Sequence, residues 1–277
     1  MTDMMIGVLF IFIIMVAYFA FQIKNEKTVP FSIYEVVQKE KVKLEEEVQQ
    51  LLLRIAELKA EIERLKSPNP LEQYIENSNQ ARNDIVEDVV RELKASNIDA
   101  EAVYQQGVVT ISGKGLFANG RSDLDGLLGA VNRVNILSDT LYQRVQCFVL
   151  DSNKALDKYK QCNPSLIFLE AVFIEGHTDN QAITVPLPDG STNNLELSSR
   201  RATNTYQQLV ERNNRITSYL NPANQQVLSV AAYGEQRPID DNNSIEGRQN
   251  NRRIDIRFVM YIPKDQKSLA DFKRQFD

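Results

Sequence analysis

From Met4 to Phe21 the chain carries an unbroken apolar run, about 27 Å long as a helix at about 1.5 Å per residue, enough to cross a hydrocarbon core. A membrane span and a secretory signal both fit such a run. A signal peptide carries a basic leading region and a small-x-small cleavage site. Only Met1, Thr2 and Asp3 precede this run, and Ala17 and Ala20 lack the cleavage spacing. The pattern therefore predicts an uncleaved anchor over residues 1–23.

The hydrophobic period then changes. Over residues 34–65, Tyr34, Lys41, Val48, Ile55 and Ile62 occupy heptad position a, and Val37, Leu44, Leu51, Leu58 and Leu65 occupy position d. A stripe this narrow is the seam of a coiled coil, although a lone amphipathic helix packed on its own domain would show a related pattern. β-branched residues at a with Leu at d favour two parallel strands, and the single Lys41 at an a position disfavours higher assemblies. Interchain charge pairing is mixed: Glu40 with Glu45 and Arg54 with Lys59 are like-charged, and only Glu61 with Lys66 is complementary. Ser67, Pro68, Asn69 and Pro70 end the helix, so residues 24–70 read as a juxtamembrane segment and dimeric coiled coil.

Residues 71–262 are numerous enough to bury a substantial core. Here helical and strand periods alternate: helices at 81–96, 124–141 and 200–212, and strands at 107–112, through Val172, at 227–233 and at 253–261. Such alternation predicts an α/β sandwich with helices on one face of a small sheet. Ser198 reads as the N-cap of the helix that follows. Residues 263–277 read as a polar tail, helical or disordered, with no assigned role.

Composition narrows the functional classes. A net charge of -5, with no basic cluster beyond Arg252 and Arg253, argues against a nucleic-acid partner. No serine nucleophile elbow, phosphate-cradling glycine loop or Cys/His cluster is present, and the single histidine, His177, reads as structural, so no enzyme, cofactor or metal is predicted. Cys147 and Cys162 lie 15 residues apart. They would pair in an oxidising compartment and stay as free buried thiols in a reducing one; closing that loop is worth roughly 3 kcal/mol on the chain-entropy model.

The densest motif is VFIEGHTDN, a strand ending in a polar turn, followed by NLELSSRRA opening a helix and, later, GRQNNRR. Taken alone, Asp179 and Arg201 could form a partly exposed salt bridge of little energetic value, or present an acceptor and a planar donor to a zwitterion. An arginine fork bonds both oxygens of a carboxylate at once. The three ordered motifs resemble the OmpA-like peptidoglycan-binding domain. That resemblance implies that Asp179 and Arg201 take the ammonium and carboxylate of the diaminopimelate residue in a wall stem peptide, with Thr178 and Asn194 in support. The chain departs from the pattern by an insertion, Val185 to Ser191, between the two halves of the site, which alters ligand access.

The N-terminal segment TDMMIGVLFIFIIMVAYFAF resembles the transmembrane helix of the MotB family, in which an Asp at the cytoplasmic end carries protons or sodium ions for a rotary stator. The match falls on Asp3. An ionisable group within a span is a functional hypothesis by default, whereas one at its edge can cap the helix or snorkel into water. Family members carry a cytoplasmic tail ahead of this Asp. Here the chain starts beside it, which leaves either a start internal to the reading frame or a lost tail. Lys24 and Lys27, beyond the span, would alone argue for the opposite orientation; a wall-binding domain requires N-in and C-out, across the bacterial inner membrane. The resemblance implies a homodimer with paired Asp3 side chains and a multi-span partner like MotA. Within that class, TDMM-x-G-x-x-FIFIIM, the long coiled coil and the cysteine-bearing wall domain look most like the ZorB subunits of Zorya anti-phage defence, which pair with a ZorA motor. A flagellar stator subunit and a passive envelope tether remain the alternatives, and only the tether dispenses with Asp3.

Overall fold

The computed structural model describes residues 2–25, 30–66, 69–151 and 158–276, with the side chains of all but residues 2–4, 25, 31 and 64–66. The chain divides into two compact units, residues 1–67 and 68–277.

The first unit is helical. Helix α1 (Thr2–Asn25) contains a stretch, Met5–Lys24, of 20 residues that is long and apolar enough to cross a membrane. Its apolar side chains are exposed on every side. Asp3 stands in its first turn, and its side chain lies outside those described. Helix α2 (Phe31–Lys66) contains the whole predicted heptad stretch. The described seam residues from Tyr34 to Ile62 are exposed in the single chain, Val37, Leu44, Leu51 and Leu58 among them. Lys41, the lysine on the seam, reaches Glu45 on the next turn at 3.7 Å.

The second unit holds a five-stranded sheet of order β1-β2-β5-β3-β4, built from β1 (Ala100–Val103), β2 (Val108–Ser112), β3 (Leu169–His177), β4 (Leu228–Gly234) and β5 (Arg253–Met260). Every neighbouring pair is antiparallel except β3 with β4. That parallel pair needs a crossover, and α6 (Asn194–Arg212) supplies it, with α4 (Ala130–Val145) packed on α6 and α3 (Pro70–Ala95) on α4. On the helix side of the sheet, Val109 faces Ile256, which in turn faces Ile174, and Val172 faces Phe258. These side chains meet Val86, Val89 and Leu93 of α3, Val134 and Leu137 of α4, and Ala202 and Leu209 of α6 in one core.

Several elements extend beyond their sequence signals. Helix α3 begins eleven residues before the predicted 81, because Asn69 caps it, accepting from the Leu71 amide at 3.0 Å, and Pro70 occupies the first turn, where its missing N–H costs nothing. Strand β1 was not predicted; it pairs with β2 across a turn closed by Gly107 at φ 66°, where a Cβ would come within 2.4 Å of the Arg82 side chain. Helix α6 starts at Asn194 rather than Arg200. Its cap is Asn193, which accepts from the Glu196 amide at 2.9 Å while the Glu196 carboxylate accepts from the Thr192 amide at 2.8 Å. Two short helices, α5 (Tyr159–Cys162) and α7 (Ile245–Asn251), complete the connections.

The final residues are not a loose tail. Helix α8 (Gln266–Arg274) buries Leu269 and Phe272, and Phe272 and Phe276 join Tyr159, Leu166 and Phe168 in a second, aromatic cluster. Only two buried positions in a nine-residue helix carry this contact, too few to stand out by period. The disulfide Cys147–Cys162, with Cα atoms 5.9 Å apart, ties the chain just after α4 to α5 beside this cluster. Truncating Phe272 to Ala should cost about 3 to 5 kcal/mol, as for other buried aromatic side chains. Urea unfolding of the purified protein would measure it; a variant as stable as the parent would mean that α8 does not belong to the folded core.

Candidate functional site

Strand β3 ends at His177, and the next two residues turn out of the sheet. The Thr178 amide donates to the Gly234 carbonyl at the end of β4, 2.9 Å away. Asp179, buried, accepts from the Gln181 amide at 3.0 Å through one carboxylate oxygen and pairs through the other with Arg252, which follows α7. Across from it, Arg201 stands on the buried face of α6 with Leu197, Ser198 and Ala202.

Helix and strand meet so closely that only glycine fits at position 176. A Cβ there would lie 2.1 Å from the Ser198 carbonyl oxygen. Ser198, predicted as the cap, instead sits inside the helix, where its hydroxyl accepts from the Gly234 amide at 2.9 Å and donates to the Leu195 carbonyl at the same distance. This contact brings the first turns of α6 against the ends of β3 and β4.

Asp179, Arg201, Thr178 and Asn194 all line one open pocket of about 340 Å³, together with Arg252, Asn119, Gly120 and Leu187. All four residues selected from the sequence therefore converge. Asp179 and Arg201 do not pair with each other among the described residues: Asp179 takes Arg252, while Arg201 Nε donates to the Arg121 carbonyl at 2.9 Å and its guanidinium lies 5.2 Å from the centre of the Phe117 ring. Asn194 is anchored by donating to the Gln181 carbonyl at 3.1 Å and to Glu235 at 2.8 Å. The Thr178 hydroxyl is buried, with no hydrogen-bond partner among the described residues.

The electrostatics leave room for an anion. Burial and the nearby Arg252 guanidinium push the Arg201 pKa down to about 10, with Asp179 and Asp189 pulling the other way. Arg201 stays cationic at neutral pH, and among the described residues no carboxylate bonds to it. Arg252, in sequence only a basic neighbour of Arg253, lines the pocket and pairs with Asp179, and the GRQNNRR motif is its signal. Asn119, Gly120 and Arg121 had no signal, because their loop is remote in sequence.

Behind the site, on the sheet face away from the helices, lies a buried ionic layer. Glu175 pairs with Arg257 through two 2.8 Å bonds, and Asp255 pairs with Arg253 at 3.0 Å and accepts from Thr110 at 2.8 Å. His177 Nε2 stands 3.2 Å from Asp255 without hydrogen-bond alignment, and its ring stacks on Tyr233. Donor atoms of Glu175, His177 and Asp255 lie within 4.8 Å of one another, but the two guanidiniums already balance the carboxylates.

Residues 157–252 match the OmpA family. Motility protein B of Bacillus subtilis (strain 168) is 34% identical over 87 residues, which are 31% of this chain and 28% of that protein. The chain therefore spans under a third of the length of this curated relative. Among solved structures, a putative MotB like protein from Desulfovibrio vulgaris aligns at 22% identity and TM-score 0.44, covering 71% of this chain and 98% of that one. The cell wall anchor of the T6SS from Pseudomonas aeruginosa aligns at 21% identity and TM-score 0.41, covering 63% and 96%. The second unit is an OmpA-like α/β domain with a mixed sheet.

The ionic layer predicts acid sensitivity. Burial pushes the Asp255 carboxyl up, but His177, Arg253 and Thr110 outweigh it and hold the pKa below its ordinary 3.8. A depressed carboxyl pKa contributes stability that is complete above the unfolded value and lost as pH falls through the folded one. Asp255→Asn should therefore cost about 3 to 5 kcal/mol at neutral pH, as for a broken buried pair, and the gap from the parent should narrow as pH falls below 3.8. Urea titrations across that range check this; a gap independent of pH would remove Asp255 as the source.

Proposed function

We propose that this chain is the wall-anchored subunit of an ion-driven stator in the bacterial inner membrane. The observation that carries the proposal is the pocket at the end of β3, where a buried carboxylate and a guanidinium without a carboxylate partner among the described residues face one open space. Such a pair suits a zwitterionic diamino acid, and diaminopimelate in a peptidoglycan stem peptide is the ligand assigned to it. Asp179 takes the ammonium, Arg201 the carboxylate, and Thr178 and Asn194 support them. The OmpA-family match over 157–252 and the local identity to Motility protein B favour this reading over an enzyme. Binding of this kind makes the domain an anchor.

The remaining parts of the proposal concern the first unit. Helix α1 crosses the membrane once, N-terminus cytoplasmic and OmpA-like domain periplasmic. Two copies of α2 bury their exposed seams in a parallel coiled coil, which brings two Asp3 side chains together. A multi-span membrane partner resembling MotA or ZorA completes the path for protons or sodium ions. On the sequence of α1, the long heptad helix and the disulfide-bearing domain, we place the chain with the Zorya defence stators, resembling ZorB, rather than with flagellar ones.

Pull-down with purified sacculi tests the anchor. Asp179→Ala and Arg201→Ala should each weaken binding by about 2 to 5 kcal/mol, since each leaves one charge of the ligand unpaired. If both variants bind as the parent does, the site is misassigned.

Asp3 separates a motor from a tether. Asp3→Asn keeps shape and helix-capping capacity but removes the protonation cycle, so phage protection should be abolished with wall binding and membrane levels unchanged, and Asp3→Glu should restore it. Protection retained in Asp3→Asn at normal protein levels would leave only the passive tether.

A further inference from the structure

The pocket has a wall that its family segment does not supply. Arg201 can grip a carboxylate with its outer fork only if its inner side is held, and the Arg121 carbonyl and the Phe117 ring hold it. Both belong to the loop between β2 and α4, outside residues 157–252. The remaining Arg201 donors have no hydrogen bond within the described residues, and Arg201 lines the pocket.

What fixes that loop is Ser122, which is 2% exposed. Its carbonyl accepts from Asn204 of α6 at 2.7 Å, and its hydroxyl donates to Asp189. Asp189 lies in the insertion Val185–Ser191. There the segment LPDGS forms a closed turn: the Gly190 amide donates to the Leu187 carbonyl at 2.8 Å, the Leu187 amide to the Ser191 carbonyl at 2.9 Å, and the Ser191 amide to the second Asp189 oxygen at 2.8 Å. Gly190, at φ 84°, adopts the left-handed conformation that the turn needs and that other residues resist. The Leu187 side chain, presented by the same turn, would lie 3.5 Å from a Cβ at Gly120. Insertion and loop are thus joined by a carboxylate–hydroxyl bond at a buried serine, with the Leu187 side chain filling the space beside Gly120. The chain of contacts runs from Asp189 through Ser122 and Arg121 to the Arg201 guanidinium.

We propose that Asp189 and Ser122 are positioning residues that orient Arg201 toward a free carboxylate, so that the insertion selects diamino-acid ligands carrying that carboxylate over those in which it is a carboxamide. The inference rests on the pocket being a diamino-acid receptor. A carboxylate uses both outer nitrogens of a fixed guanidinium, whereas a carboxamide offers one acceptor and a donor that the fork repels. Fixing the guanidinium therefore benefits the first ligand far more than the second.

The experiment uses the full-length protein in detergent as parent, Asp189→Ala, Ser122→Ala and Asp189→Asn, with two readouts. The first, without ligand, is hydrogen exchange at the Arg201 Nε–H followed by ¹⁵N NMR. The second is binding of two synthetic stem peptides that differ only in whether the distal group of the diamino acid is carboxylate or carboxamide. Asp189→Ala and Ser122→Ala should speed the exchange and weaken the carboxylate peptide about tenfold, the scale of one charge-assisted hydrogen bond, with the carboxamide peptide little changed. Asp189→Asn should restore both readouts, because its oxygen still accepts from the Ser191 amide and its amino group can donate to the Ser122 hydroxyl. Unchanged Nε–H exchange in both alanine variants, an equal loss on the two peptides, or no rescue by Asp189→Asn overturns the inference. A parent that binds neither peptide overturns the receptor reading instead, and the exchange data, which need no ligand, tell that result apart.

Discussion

The geometry of the pocket in the OmpA-like domain depends on how closely α6 approaches β3. At Gly176 there is no room for even a methyl group, since a Cβ would sit 2.1 Å from the Ser198 carbonyl oxygen. Ser198 reinforces the contact by accepting from the Gly234 amide on the neighbouring strand. Because Asp179 follows three residues after Gly176 and Arg201 three residues after Ser198, this single close contact sets the separation of the two charged groups. A larger residue at position 176 would push the helix off the sheet and open the pocket, without touching either charge.

Charge balance follows from that geometry. Taking ions out of water is expensive unless they are paired, and behind the pocket each buried carboxylate has its guanidinium: Glu175 with Arg257 and Asp255 with Arg253. Within the pocket the arrangement is deliberately incomplete. Asp179 is matched by Arg252, and Arg201 is left with a backbone carbonyl and an aromatic ring. Among the described residues no carboxylate bonds to Arg201, and the Thr178 hydroxyl beside it has no hydrogen-bond partner. Under the proposed function, a zwitterionic ligand gives Arg201 its counter-charge and exchanges with Arg252 at Asp179.

The first unit presents apolar surface of two kinds, and each calls for a different surrounding. Helix α1 is apolar around its whole circumference, whereas α2 gathers apolar side chains along a heptad seam, with Ile33, Val36, Val42, Leu52 and Leu53 outside it. Both are exposed in a single chain. Under the proposed function, membrane and partner chain cover them, and the anchor in the wall becomes the fixed point of a two-chain assembly.

The sequence by itself determined the features that depend on local period and on short motifs. The apolar span, the heptad helix, the strands carrying VFIEGH and RIDIRF, and the one-sided sandwich were all legible, since each is written in consecutive residues at period 3.5, 3.6 or 2. The motifs also picked out Asp179, Thr178, Asn194 and Arg201, which line one pocket. Tertiary structure decided what lies between remote segments. Strand β1 exists because β2 offers it an edge, and α8 is ordered because Phe272 and Phe276 find Tyr159 and Phe168, contacts that no window of adjacent residues contains. It also decided that Asp179 pairs with Arg252 rather than Arg201, and that Arg201 is held by a carbonyl 80 residues away. A motif names the charges in a site, but their partners depend on which backbone groups the packing of α6 against the sheet brings within hydrogen-bond reach.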